Sequence, residues 1–382
     1  MKNRFLTPGF VFIMLTALFC AVTILHTAVV GKSVYGDGRY YVSMLDSVVR
    51  DRDLDMTNQF RMFSVLEPKT MNNVPAQKYP IGFSILLFPL YTFLQYFIIG
   101  YKIYPLFVQF CISIFGSLTA VSGLFFLWMA NRKIYGEKIA VYTTVSIALC
   151  TNLFFYGAVD TVNSHPYSFF LASVLLTVLL YQRSPLPVGI FAGLLYLVRP
   201  QDLVCSVPAF IRKPNIKYYA VLLIPICCAL ILQSALTYRI FGSLAVSGYF
   251  QSGREGFFSS GFHPMDVLFS PTYGIFTVTP IVVLSLVGLF TEKSTTKMIK
   301  TGSILVFLIQ LFIVSSWSTW SQGASYSGRM FVSTLPFLSF GLSGLYGSLR
   351  KLWNGTFIIT MIIVSFALLN MLSIVRFLLI NP

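Results

Sequence analysis

Apolar runs follow one another along almost the whole chain, separated by short polar breaks. They lie at 8–31, 79–99, 103–130, 139–157, 165–181, 186–211, 218–236, 270–290, 301–317, 330–347 and 354–375. A helix needs ~20 apolar residues to cross ~30 Å of hydrocarbon, and most of these runs approach that length. Lipid offers no partners to open backbone groups, so a spanning segment is either a helix or a strand of a closed barrel. Barrel strands alternate apolar and polar residues over ~10 positions, and a run such as "VLLIPICCALIL" does not. The pattern predicts an all-α polytopic membrane protein with about 10–12 transmembrane helices. Composition agrees, with 56% of residues apolar and 10% charged.

The first run follows Lys2 and Arg4 and has no small-residue cleavage site before Lys32, so it reads as a retained first helix rather than a signal peptide. Cys20, Cys111, Cys150, Cys205, Cys227 and Cys228 fall inside apolar runs without metal-ligand spacing and read as small buried hydrophobes. Cations in the short loops "NRKIYGEK", "IRKPNIK" and "TEKSTTKMIK", and at Arg350 and Lys351, share one side with Lys2 and Arg4. By the positive-inside rule that side is cytoplasmic, which puts 32–78 outside as a large first extracytoplasmic loop carrying interfacial helices. Two irregularities keep the parity: 79–99 does not cross fully, and 186–211 is two short helices turning back near Arg199-Pro200. The chain reads as a single transmembrane domain over 1–382 with no soluble C-terminal domain.

The net charge of +15 is scattered through short inner loops rather than gathered in a patch, so nucleic acid is a poor partner. No Walker A loop, GxGxxG, HExxH or GxSxG is present, which removes the usual supports for nucleotide-driven, dinucleotide, zinc-protease and serine-hydrolase chemistry. The polar clusters with unusual chemistry fall on the outer side. These are "GDGRYYVSMLDSVVRDRDLD" at 36–55, "QKYPIG" at 77–82, "VDTVNSHP" at 159–166, Arg199 with Asp202, "GREGFFSSGFHP" at 253–264 and "WSTWSQGASYSGRM" at 317–330. Collection of polar residues at headgroup level explains any one of them, but their convergence points to one outward-facing site.

In order along the chain, "DGRYY", "DRDLDMTN", "KYPIGFSILLFPLY", "NSHPYSFFL", "LLYLVRPQDLV", "LFSPTYGIFTVTP" and "WSQGASYSGRM" followed by "LPF" resemble the pattern of GT-C membrane glycosyltransferases. The similarity is to the branch related to protein O-mannosyltransferases and the aminoarabinose transferase of lipid A. The resemblance implies a polyprenyl-phosphate-linked sugar as donor, transfer on the extracytoplasmic face, and an acidic residue of the first outer loop as catalytic base. The acceptor, whether lipid, glycan or protein, is left open. A phosphate leaves as a stable anion, so one carboxylate suffices to take the acceptor's proton, where an ordinary glycoside generally needs two.

Asp37 is the candidate base: it lies just beyond the first helix, between Gly36 and Gly38 and before Tyr40 and Tyr41. Its competing reading is a turn or helix cap. Asp46 reads as facing water from an interfacial helix. Asp51, Asp53 and Asp55 read as a solvated loop with local ion pairs, although as hard oxygen ligands they keep a divalent cation open; no cofactor is otherwise required. Arg329 is the first candidate for the donor phosphate, because a guanidinium pairs two phosphate oxygens at once. Lys78 and Arg199 come second, and Asp202 offers Arg199 a buried partner instead. Arg254 reads equally as a headgroup anchor. Asp160, His165, His263, Trp317, Trp320 and Tyr326, with Tyr40 and Tyr41, are candidates for the sugar or acceptor pocket. For the tryptophans and tyrosines, an interfacial belt is the alternative. A transporter or flippase for a lipid-linked saccharide would use the same groove and phosphate clamp without a base. Repeated halves or paired interrupted helices would mark it.

Overall fold

The computed structural model describes residues 7–99, 106–182, 184–211, 215–244, 248–252, 255–291, 296–323 and 325–380. Lys2, Arg4, Arg212, Lys213, Lys293 and Arg254, which entered the reading above, lie outside the described residues.

Helix α1 (Pro8–Val30) opens with a proline where the missing N–H costs nothing and closes on Gly31 at φ 74. The first loop holds α2 (Gly38–Asp46), a π-helical turn over Ser47–Asp51, and α3 (Thr57–Met62). Next come α4 (Gly82–Phe93), continued by a π-helical stretch Leu94–Ile99, then α5 (Leu106–Tyr135), α6 (Glu137–Cys150), α7 (Leu153–Ala158) and α8 (Ser164–Tyr181). Helix α9 (Pro185–Val198) leads through a 3-10 segment, Pro200–Ser206, into α10 (Val207–Ile211) and the long α11 (Ile216–Phe241). Short helices α12 (Gly248–Ser252), α13 (Pro264–Phe269) and α14 (Ile275–Val278) precede α15 (Ile281–Thr291) and α16 (Lys297–Ser316). A 3-10 segment, Arg329–Thr334, runs into α17 (Leu335–Leu349), and α18 (Gly355–Ile380) follows.

Among the described residues, seven helical stretches are long and apolar enough to cross a membrane, one of them Arg329–Leu349, in which the 3-10 segment runs on into α17; three shorter apolar helices lie at Gly82–Phe97, Pro185–Val198 and Ile281–Thr291. The protein is a multi-pass integral membrane protein. The break expected at Arg199-Pro200 is present: Arg199 is extended at φ −153, ψ 111, as the proline ring after it demands. Two other apolar runs are also broken. Within 139–157, Thr151 leaves the helix and its hydroxyl accepts from Leu153 N at 3.2 Å, starting α7 afresh. Within 270–290, Gly274 and Pro280 cut the run into α14 and α15.

The bundle has two chemically distinct ends. Near the start of α5, Gln109 accepts from Ser33 N at 3.2 Å and from Ser33 Oγ at 3.0 Å, whereas Arg132 lies roughly 35 Å further along the axis at about 1.5 Å per residue. Asn72 donates to Tyr238 O at 3.0 Å and Arg239 O at 2.8 Å at the far end of α11, whose other end is capped by Asn215. Phe258 N bonds Ser316 O at 2.6 Å, at the end of α16 remote from Lys297 and Lys300. The first loop and segments 255–263, 317–323 and 325–328 therefore lie toward one end, and Arg132, Asn215, Lys297 and Lys300 toward the other.

The 255–263 loop also turns down the outside of the bundle. Phe258 and Phe262 pack on Phe312, one turn below the end of α16, at ring distances of 6.0 and 5.8 Å. All three remain half-exposed, continuous with the apolar outer face of that helix. Cys227 and Cys228 are exposed on α11, contrary to the expectation that all six cysteines are buried; Cys150 and Cys205 are buried, and Cys20 and Cys111 are intermediate.

Candidate active site

Gly36 adopts φ 51, a region L side chains rarely enter, and turns the chain sharply into α2. A Cβ on Gly38 would stand 2.4 Å from Val162 O, so α2 begins pressed against the 159–163 loop. Between them, Asp37 occupies the N-cap position of α2, yet its side chain makes no capping bond. The carboxylate instead reaches across the fold. Its Oδ1 accepts from Tyr79 Oη at 2.8 Å and its Oδ2 from Arg329 Nη1 at 2.9 Å. Burial pushes this carboxyl up, but Arg329, the Tyr79 hydroxyl, Arg199 and Lys78 together outweigh it and hold Asp37 below the usual carboxylate range. The side chain keeps 22% of its surface exposed.

Arg329 is set by the turn before it. Gln322 and Ser327 take positive φ. Asn152 Nδ2 holds Gly328 O at 3.1 Å, Tyr156 Oη holds Tyr326 O at 2.8 Å, and Gln322 Oε1 accepts from Met330 N at 3.0 Å. The guanidinium emerges from this braced turn with one nitrogen on Asp37 and a buried Nε that has no partner. A donor is thus available beside the carboxylate.

Tyr79 arrives because α4 starts hard against the end of α9. A Cβ on Gly82 would stand 2.3 Å from the backbone of Leu197 and Val198. Its ring lies 5.1 Å from Tyr40, 5.0 Å from Tyr41 and 5.6 Å from Tyr249. Tyr40 and Tyr41 are therefore wall residues: their hydroxyls bond Glu67 at 2.7 Å and Ser164 at 3.2 Å. Lys78 lies 5.5 and 5.6 Å from the ring centroids of Tyr79 and Tyr249. Its ammonium donates to Glu255 Oε1 at 2.6 Å.

Arg199, 7% exposed, makes the buried pair that Asp202 offered, at 3.6 Å. Asp202 is held in turn by Ser333 Oγ at 2.8 Å. The same guanidinium bonds Ser164 Oγ at 3.1 Å, lies 3.0 Å from Nδ1 of the buried His165, and touches the Met330 thioether. Asp160 stands in the 159–163 loop, bonded by Asn163 Nδ2 at 2.9 Å. Burial raises its carboxyl to about 6, with the charge of Asp37 adding to the shift and Asn163 and Arg329 opposing it.

The remaining candidates make no contact with Asp37 or Arg329. His263 stacks on Trp320 at 5.0 Å and bonds Asp266 and Ser260 O on the exposed rim. Trp317 donates its indole N–H to Glu255 at 2.9 Å. Tyr326 does not open into a pocket: it is buried between Phe155 and Phe377, and its hydroxyl bonds Asn370 Oδ1 at 2.7 Å. Asp46 does not face water. It is 2% exposed, taking bonds from Tyr91 and Gln59 with Arg50 at 3.5 Å. Asp51 accepts from Asn58 and Gln59, Asp53 from Ser47, and Asp55 from Thr57 N. Among the described residues, no three His, Cys, Asp or Glu side chains converge as a metal group would need.

Tyr79, Tyr249 and Glu255 were not singled out by the sequence reading. Tyr79 stood inside "KYPIG" beside Lys78 and was legible there. Glu255 is an isolated acid in a phenylalanine-rich stretch, and Tyr249 carries no local signal at all.

A carboxylate kept ionised between a phenol and a guanidinium, with two further cations nearby, can accept a proton and can face an anion. No protein-family model matches the chain, and no curated protein does. Among solved structures it is similar to the crystal structure of ArnT from Cupriavidus metallidurans in the apo state, with a TM-score of 0.51 and 14% sequence identity. The match covers 89% of this chain and 60% of that one. The chain therefore shares the fold of ArnT over most of its length.

Proposed function

We propose that the protein is a membrane glycosyltransferase that moves a sugar from a polyprenyl-phosphate donor to an acceptor hydroxyl on the extracytoplasmic face, with the N-terminus cytoplasmic. The observation that carries this is the Asp37 carboxylate, bonded by Tyr79 and Arg329 at the end of a bundle with the ArnT fold. Asp37 takes the proton as the acceptor oxygen forms its bond to the anomeric carbon. The bond from that carbon to the phosphate oxygen breaks, and the phosphate leaves with the electron pair. A single displacement inverts the anomeric centre. Arg329 meets the leaving phosphate with its unpartnered Nε–H, and this contact strengthens as charge develops there. Drawing Arg329 onto phosphate also loosens its hold on Asp37 and makes that carboxylate a better base.

The test is to incubate purified protein with a panel of polyprenyl-phosphate sugars, adding lipid, glycan and protein acceptors in turn, and to follow released polyprenyl phosphate by mass spectrometry. Acceptor-dependent release that Asp37→Asn abolishes supports the proposal. Movement of a lipid-linked saccharide across vesicles without bond cleavage would replace it with transport.

A further inference from the structure

Among the described residues, three cations around this site are each matched by a carboxylate: Arg329 by Asp37, Arg199 by Asp202 and Lys78 by Glu255. Two of these acids have other duties, Asp202 as a buried anchor under Ser333 and Asp37 as the base proposed above. Glu255 is different. It comes from a loop 177 residues along the chain and sits in a cradle of three donors suited to an oxyanion. Lys78 Nζ lies 2.6 Å from Oε1, while Trp317 Nε1 at 2.9 Å and Thr319 Oγ1 at 3.3 Å hold Oε2. Tyr79 links that cradle to Asp37: the lysine lies near its ring, and its hydroxyl bonds the carboxylate.

We infer that Glu255 is a built-in competitor for the phosphate of the lipid carrier, holding the Lys78 cradle until phosphate displaces it and reclaiming the cradle after transfer; this rests on the reading under Proposed function. An ammonium, an indole N–H and a hydroxyl recognise phosphate oxygens as readily as carboxylate oxygens. The exchange needs only a side-chain swing, since Glu255 and Gly256 are themselves held by backbone hydrogen bonds. Glu255 N bonds Tyr249 O at 3.3 Å, and Ser318 N bonds Gly256 O at 2.9 Å beside the Phe257–Trp317 bridge. Charge gives the exchange a direction. The donor is a phosphodiester with one negative charge, while the released monoester carries about −1.5 to −2 at neutral pH and would otherwise bind the cations more tightly. A returning carboxylate offsets that gain and helps the product leave.

The experiment titrates farnesyl phosphate into detergent-purified wild type, Glu255→Gln, Lys78→Gln and the double variant, following heat. Glutamine keeps one acceptor for Trp317 and Thr319, removes the charge, and puts an amide N–H where the carboxylate oxygen accepted from Lys78. Glu255→Gln should bind about tenfold more tightly than wild type, as expected for removing one close competing charge. Glu255→Asp, whose shorter arm draws the carboxylate off Lys78, should also bind more tightly and serves if the glutamine variant does not fold. The gain should vanish in the Lys78→Gln background. If Glu255→Gln binds no tighter than wild type while the double variant binds more weakly than Glu255→Gln, Lys78 still holds phosphate and only the competitor role is lost. If the double variant binds as well as Glu255→Gln, Lys78 is not a phosphate ligand and the competitor role falls, while the roles proposed for Asp37 and Arg329 stand.

Discussion

Residues 36–55 hold five of the chain's twelve acidic residues, and those at the two ends keep different company. Asp51, Asp53 and Asp55 bind partners no more than eight residues away, tying a π-helical turn to the start of α3. Asp37 binds partners 42 and 292 residues away, one of them a cation that no local structure supplies. A local carboxylate satisfies the backbone and hydroxyl donors beside it. One held by distant elements is held only because the fold as a whole presents it.

The strongest way to break this comparison is to neutralise both ends. Asp37→Asn should cut single-turnover transfer by a factor of order 10²–10⁴ while the protein still folds, since the amide is nearly isosteric but a poor base. Asp51→Asn should change the rate only a few-fold, and equal losses would erase the distinction. Arg329 comes next. Arg329→Ala should weaken donor binding and move the acid limb of the pH–rate profile upward, because burial then acts on Asp37 with less opposition. Arg329→Lys should fall between, and an unmoved limb would detach Arg329 from the base.

Asp160 sharpens the comparison through stability. Its folded value of about 6 lies above the ordinary 3.8. The protonated form is therefore favoured in the fold, and its stabilising effect is fully present below 3.8 and lost as pH rises through about 6. Asp160→Asn should flatten that part of the thermal-stability profile and stabilise the protein at pH 7.5 by about 1–3 kcal/mol. A variant with the wild-type slope would refute this. Smallest of all, Tyr326→Phe removes the bond to Asn370 and should cost about 1 kcal/mol in thermal unfolding. It should reduce turnover less than Tyr79→Phe; the reverse order would return Tyr326 to the site.

Much of the architecture was legible because bilayer-length apolar runs leave few alternatives, and Pro200 marked its own interruption. The break at Thr151 was not legible, since a threonine hydroxyl starting a new helix differs little in sequence from one lying along a continuing helix. Asp37 and Arg329 stood out as ionisable groups beside glycines at the edge of apolar runs. Glu255 could not be assigned its role, because that role depends on packing Lys78 and Trp317 around it. Asp46 misled for the opposite reason: a polar residue in an amphipathic helix looks solvated until Tyr91, from α4, is placed over it.

The phenylalanine loop that folds down onto Phe312 fixes a distance as well as a surface. Phe258 and Phe262 seek hydrocarbon, while Glu255, on the same loop, meets Lys78 at the polar end. The separation between those levels is set by the protein, whereas the depth of the hydrocarbon edge is set by the host lipid. In bilayers of shorter acyl chains the two aromatic rings lose their apolar cover and pull on the loop that carries Glu255, at a cost of fractions of a kcal/mol per Å of mismatch. Turnover in reconstituted vesicles should accordingly depend on acyl-chain length at constant headgroup composition, with an optimum where membrane thickness matches this built-in ruler.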